Sequence, residues 1–114
     1  MNVLVAIHDL MFSSKVTAAL GGKKVNWLPR GSKVAEKVLE TKPDVLLIDL
    51  AAPALDSVNA IKAIKEGDSK GTLIIGYVDH TRADVMEAAR AAGCDQVLSK
   101  GEFARRLPEF LQGI

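Results

Sequence analysis

Three apolar runs in this chain each stop on residues that can do chemistry: residues 3–7 at His8-Asp9, residues 45–48 at Asp49, and residues 73–78 at Asp79-His80. Apolar, β-branched residues at consecutive positions over that length are strands buried on both faces. If such strands run side by side in one direction, their ends share an edge and Asp9 meets Asp49. Two carboxylates a few ångströms apart repel unless a cation lies between them, and that cation is a metal or a lysine. An oxygen-only donor set completed by water favours Mg²⁺. Lys100, just after a shorter fifth run, is placed to reach over the same edge. His8 and His80 with Asp9, Asp49 and Asp79 are also a donor set that could take Zn²⁺ or Mn²⁺. As ordinary loop histidines the two imidazoles would be hydrogen-bonded locally instead.

These residues act together only if a fold brings the strand ends to one side. Between the apolar runs the period changes to that of a helix. Phe12, Val16 and Leu20 recur every four residues and stop at Gly21-Gly22. Ser32 is expected to cap a helix with Val34, Ala35, Val38 and Leu39 inward. Asp56 or Ser57 is expected to cap one with Val58, Ile61 and Ile64 inward, ended by Gly67. Thr81 with Asp84 resembles a capping box ahead of Val85, Ala88, Ala89 and Ala92, with Gly93 as the stop. Pro108 falls within the last segment, which reads as a short turn followed by a new helix starting near the proline. Residues 25–28 and 96–98 are weaker strands, with Trp27 packing near the end of the first. The alternation predicts an α/β domain, a doubly wound five-stranded parallel sheet with helices on both faces. In such sheets the ligand site lies outside the carboxyl ends of the central strands, where strand order reverses.

Composition narrows the function classes. The 114 residues, 48% hydrophobic, suffice for one domain with an ordinary core and are too few for two. With 15 Lys+Arg against 14 Asp+Glu the net charge is +1, which leaves no surplus of cations for a phosphate backbone. No nucleic-acid partner is expected, and Arg105-Arg106 and Lys23-Lys24 read as solvated charges. The single Cys94 cannot form an internal disulfide and reads as a small buried hydrophobe. No apolar run approaches the ~20 residues that cross a bilayer, and the first ten residues lack the basic start of a secretion signal. A cytoplasmic setting without a membrane partner is expected. There is no Ser-His-Asp order, glycine-rich phosphate loop or Cys-x-x-Cys, so nothing marks an enzyme that turns over substrate.

The stretch Pro43-Asp44-Val45-Leu46-Leu47-Ile48-Asp49-Leu50-Ala51-Ala52-Pro53-Ala54-Leu55-Asp56 carries a resemblance. It resembles the third strand, phosphoacceptor aspartate and following loop of the receiver domains of bacterial two-component response regulators. Ala91-Ala92-Gly93-Cys94-Asp95 followed by Val97-Leu98-Ser99-Lys100 is similar to that family's fourth-helix exit, fifth strand and active-site lysine. Gly31 with Ala35 and Glu36 matches the start of its second helix. The resemblance covers essentially the whole chain. It implies one receiver-like domain over residues 1–114 with no output domain, and the flavodoxin-like strand order 2-1-3-4-5. It also implies Asp49 as phosphoacceptor, Lys100 as the cation that neutralises the phosphoryl oxygens, and Mg²⁺ held by Asp9, Asp49 and the backbone carbonyl of Ala51.

Several positions depart from the family's pattern. His8 stands where the family has the first of two acids, which binds metal through water, so only weak Mg²⁺ binding is expected. Val78 takes the place of the strand-four hydroxyl and Asp79 that of the small residue after it; a negative side chain at that entrance opposes an incoming phosphoryl group. Val97 replaces the strand-five aromatic, and Gly101 the proline after the lysine. The implied function is an atypical stand-alone receiver in phosphorelay signalling, with impaired acceptance at Asp49 from a histidine kinase or small donor and output by binding a protein effector. The alternative is a pseudo-receiver, an interaction module that phosphate does not regulate. A small-molecule or metal sensor at the same edge is the third reading. With Val78 and Val97 altered, the state of Asp49 is expected to reach the surface of the fourth helix, fifth strand and last helix only weakly.

Overall fold

The computed structural model describes residues 1–114. Five parallel strands, β1 (Val3–Ala6), β2 (Asn26–Trp27), β3 (Val45–Asp49), β4 (Leu73–Val78) and β5 (Gln96–Ser99), pair in the order β2-β1-β3-β4-β5. The connecting helices are α1 (Leu10–Leu20), α2 (Val34–Thr41), α3 (Ser57–Glu66), α4 (Ala83–Ala92) and α5 (Lys100–Phe110), with one 3₁₀ turn (Pro53–Leu55) ahead of α3. The doubly wound parallel sheet is the one the alternation of elements predicted, and its strand order is the one the resemblance implied. The order reverses between β1 and β3, where the topology opens a crevice at the carboxyl edge.

Successive strand residues point to opposite faces, and here both faces are covered equally. Val3, Val5, Val45, Leu47, Ile75 and Tyr77 pack with α1 and α5 in a cluster of 15 buried residues. Leu4, Ala6, Leu46, Ile48, Ile74 and Val78 pack with α2, α3 and α4 in a second cluster of 15. Both faces bury β1 and the first four residues of β3 almost completely, which is why these strands read as unbroken apolar runs. The first charged residue after each lies where the strand leaves the core.

The local chemistry of the helix ends differs from the sequence expectation in several places. Lys33, not Ser32, is the N-cap of α2, and it makes no side-chain cap bond. Leu39 is 55% exposed, because the buried stripe of this eight-residue helix is Val34 and Val38 and Leu39 lies one step further round. Asp56 holds the N-cap of α3 without a cap bond, while the Ser57 hydroxyl turns inward to donate to the Asp49 carbonyl at 2.6 Å. The N-cap of α4 is Arg82, and Thr81 is engaged by Asp79 instead of closing a capping box. Ala88, expected inward, is exposed, whereas Ala89 is buried. Pro108 does not start a new helix: α5 runs through it. The ring sits in the last turn, where a single N–H to a carbonyl is lost, while Phe103, Leu107 and Phe110 hold the helix on the sheet. Trp27 is 38% exposed, since β2 is a two-residue edge strand and the inward residue is Leu28 just beyond it.

Gly76 of β4 lies opposite Ile48 of β3. A Cβ there would stand 2.5 Å from Leu50 Cδ2 and 2.7 Å from its Cγ, so the bare backbone makes room for the buried side chain that follows Asp49. Gly76→Ala is expected to cost about 1–3 kcal/mol from overpacking. In urea unfolding, the double variant with Leu50→Ala should lose less than the sum of the two single changes. Strict additivity would show that Leu50 is not what the glycine accommodates.

Candidate functional site

Asp49 is the last residue of β3, and Asp9 follows β1, its neighbour in the sheet. The Asp9 carboxylate is the N-cap of α1: its Oδ1 accepts from the N–H of Met11 at 2.8 Å and of Phe12 at 3.3 Å. Two otherwise unpaired amides and the positive end of the helix thereby hold it in place. Asp49 Oδ1 accepts the Ala51 N–H at 3.0 Å, which tightens the loop leaving β3. The Ser57 hydroxyl on the Asp49 carbonyl clamps the same residue from α3. Lys100 is the first residue of α5, which Ser99 caps through its hydroxyl on the Glu102 N–H.

Electrostatics couple these groups. Burial pushes the half-buried Asp49 carboxyl above the usual carboxylate range. The Ala51 amide opposes that, Asp9 adds to it, and Lys100 lowers it again. Lys100 forms no ion pair within 4.0 Å; its Nζ lies 6.0 Å from the centroid of the Phe12 ring. The edge therefore carries two acids within electrostatic reach of each other, and the lysine acts on Asp49 from outside ion-pair distance.

The other expected residues separate. His8 Nε2 donates to the Leu28 carbonyl at 3.0 Å, and Arg30 Nη2 donates to the His8 carbonyl at 3.0 Å, which draws this corner towards β2. His80 has an 82% exposed side chain, with Nδ1 at 3.6 Å from Asp79 Oδ1. No group of three or more His, Cys, Asp or Glu side chains is arranged to hold a metal, so the expected mixed Zn²⁺ or Mn²⁺ set does not assemble. His8 is taken by Leu28 across the edge of the sheet, and His80 lies beside its neighbour Asp79. Asp79 accepts from the Thr81 N–H at 3.0 Å and the Thr81 hydroxyl at 2.9 Å, and these bonds hold its carboxyl below the usual range, with smaller contributions from His80 and Lys100. Val78 is buried in the α2–α3–α4 cluster, and Val97 is half-buried against it. Cys94 is buried, its Sγ within reach of the Ile74 and Gln96 carbonyls, and burial raises its thiol to about 11.

Sequence reasoning missed Tyr77. It reads as one more residue of an apolar strand, yet in the sheet it is the direct β4 neighbour of Asp49 and is fully buried. Its ring stacks on Phe12 and on Phe103, each with centroids 4.5 Å apart. Burial, then the charges of Asp49 and Asp9, push its pKa far up. The available signal was chemical: this is the chain's only tyrosine, set in a strand buried on both faces, where a hydroxyl needs a partner.

No family model matches the chain. It is 31% identical over 93 residues to the chemotaxis protein CheY of Thermotoga maritima, an alignment covering 82% of this chain and 77% of that protein. A response regulator from Hahella chejuensis superposes with a TM-score of 0.82 at 21% identity, covering 97% of this chain and 92% of that one. The receiver domain of a sensor histidine kinase from Pseudomonas aeruginosa, solved with a magnesium ion coordinated in its active-site cleft, superposes with a TM-score of 0.76 at 20% identity, covering 97% of both chains. No helix is long and apolar enough to cross a membrane. With that identity over most of a chemotaxis protein, and with this strand order carrying an aspartate at the end of its middle strand, the chain belongs to the response-regulator receiver family of two-component signalling.

Proposed function

We propose that the chain is an atypical receiver that accepts a phosphoryl group at Asp49 slowly and signals by binding a protein effector. The observation that carries this is the state of Asp49: a half-buried carboxylate at a strand end, oriented by one backbone amide, with a second acid and a lysine within electrostatic reach. A carboxylate oxygen attacks phosphorus in a histidine kinase's phosphohistidine or a small phosphoryl donor. The O–P bond forms as the donor's bond to phosphorus breaks, its electron pair leaving with the donor: the histidine takes up a proton, whereas an acyl-phosphate donor leaves as its carboxylate. The ammonium of Lys100 offsets charge gathering on the phosphoryl oxygens.

The donor set at this edge suits Mg²⁺. Asp9, Asp49 and the Ala51 carbonyl offer oxygen alone, and with no third acid or imidazole beside them the remaining places fall to water, which Mg²⁺ retains readily. Bound there, the ion supplies charge neutralisation for the phosphoryl group. Affinity is low in this reading, because His8 gives its ring N–H to Leu28 and Asp9 shares its carboxylate with the start of α1. Asp79 slows acceptance by placing an anion that draws on the same lysine. The pseudo-receiver remains the second reading, favoured by one observation: Val78, buried without a hydroxyl, offers the phosphoryl group no hydrogen bond.

Incubation with a small phosphoryl donor and Mg²⁺ should add the mass of one phosphoryl group to the wild type and none to Asp49→Asn. No gain in the wild type would leave the pseudo-receiver. Asp79→Asn, which keeps an acceptor oxygen for Thr81 while removing the charge, should raise the rate several-fold; an unchanged rate would show that Asp79 does not act on the site. Asp49 also predicts a stability difference. Its folded pKa lies above the unfolded value, so the folded state holds the proton more tightly, and stability falls as pH rises through the two pKa values and stays lower above them. Asp49→Asn should therefore be more stable than wild type in urea unfolding at neutral pH, with the gap closing below the ordinary carboxylate pKa of 3.8. Equal stability at neutral pH would mean that the ionised carboxylate is not disfavoured by its surroundings.

A further inference from the structure

The Tyr77 hydroxyl is the one buried side-chain polar atom in the molecule without a hydrogen-bond partner. A buried phenol left unpaired is costly, and such groups persist where packing fixes them and another state supplies a partner. Packing does fix this one. Its ring lies between Phe12 of α1, with planes 18° apart, and Phe103 of α5, with planes 28° apart, and Phe103 in turn meets Phe110 at 5.9 Å. The acceptor it faces is the carboxylate of Asp49, its register partner across β3 and β4: the two groups are near enough that each bears on the other's pKa as a weak hydrogen bond would, yet they fall short of hydrogen-bond geometry.

We propose that Tyr77 couples the chemical state of Asp49 to the α1–α5 face, its hydroxyl following the Asp49 oxygens and carrying the Phe12–Tyr77–Phe103 stack with it. This rests on the reading of Asp49 as phosphoacceptor. In the free carboxylate the charge sits on the Asp49 oxygens, which the hydroxyl approaches without bonding, whereas in an acyl phosphate those oxygens are neutral and the phosphoryl oxygens, strong acceptors, carry the charge. The hydroxyl thus meets a different partner in the two states, which is the requirement for a modification to shift a structure. The route runs through the cluster that contains α1 and α5, on the opposite side of the sheet from Val78 and Val97. The altered residues there do not interrupt it.

Tyr77→Phe tests this, because it removes the hydroxyl and keeps the ring. The full chain is loaded with Mg²⁺ and beryllofluoride, an acyl-phosphate mimic. Fluorine NMR reports loading, and the aromatic resonances of Phe12, Phe103 and Phe110 report transmission. Loading should shift those rings in the wild type, and Tyr77→Phe should load while losing at least half of the shift. Equal shifts in a loaded Tyr77→Phe would overturn the coupling and leave Asp49 as acceptor. A wild type that does not load would overturn the acceptor reading, and the coupling with it. A second arm needs no loading: the folding equilibrium constants of Asp49→Ala, Tyr77→Phe and the double variant should be non-additive by at least threefold. Additive effects would remove the contact on which the coupling depends.

Discussion

The desolvation of Asp49 organises the carboxyl edge of this molecule. Every other residue of β3 is buried, and the strand delivers its last side chain to a place half inside the core. A carboxylate there is disfavoured by burial and by Asp9, and is relieved by the Ala51 amide and Lys100. Relief is incomplete, as the raised pKa shows. The proposed uptake of a cation, or conversion of the carboxylate into an ester-like group, would relieve that remaining charge.

The amino edge of the same sheet shows what completion looks like. Lys65 Nζ donates to Asp95 Oδ2 at 2.7 Å, the Thr72 carbonyl at 2.8 Å and the Lys70 carbonyl at 3.2 Å, while the same Asp95 oxygen accepts the Ile74 N–H at 2.7 Å. Every proton of that ammonium has an acceptor, and the cluster ties α3 to the starts of β4 and β5. Lys100, by contrast, is free of ion pairs and acts at longer range on Asp49 and Asp79. One lysine is consumed by the fold, and the other is left without an ion pair near Asp49 and Asp79.

Beneath the site, the aromatic stack joins strand and helices more firmly than area alone would. Phe12, Tyr77 and Phe103 come from three elements distant in sequence, and their contacts set how α1 and α5 sit against the sheet. The charged edge and this packed layer are in direct contact through Tyr77. Chemistry at the surface and geometry in the core therefore share one residue.

The alternation of unbroken apolar runs with helical periods was enough to determine the parallel sheet and the residues at its exits, because burial on both faces leaves no freedom in strand composition. Asp49 and Asp9 at one edge followed from the same pattern. What the linear pattern did not settle was what each polar group bonds to. The expected caps at Ser32 and Thr81 went unused, Thr81 being taken by Asp79 two residues before it, while Ser57 turned to Asp49 and His8 to Leu28, acceptors brought near only by folding. Pro108 could stay within α5 because side chains from the sheet hold that helix, a contribution outside local propensity. Tyr77 looked like core for the same reason: periodicity reports that a side chain is inward, and only the tertiary structure decides which charged group waits at the end of it.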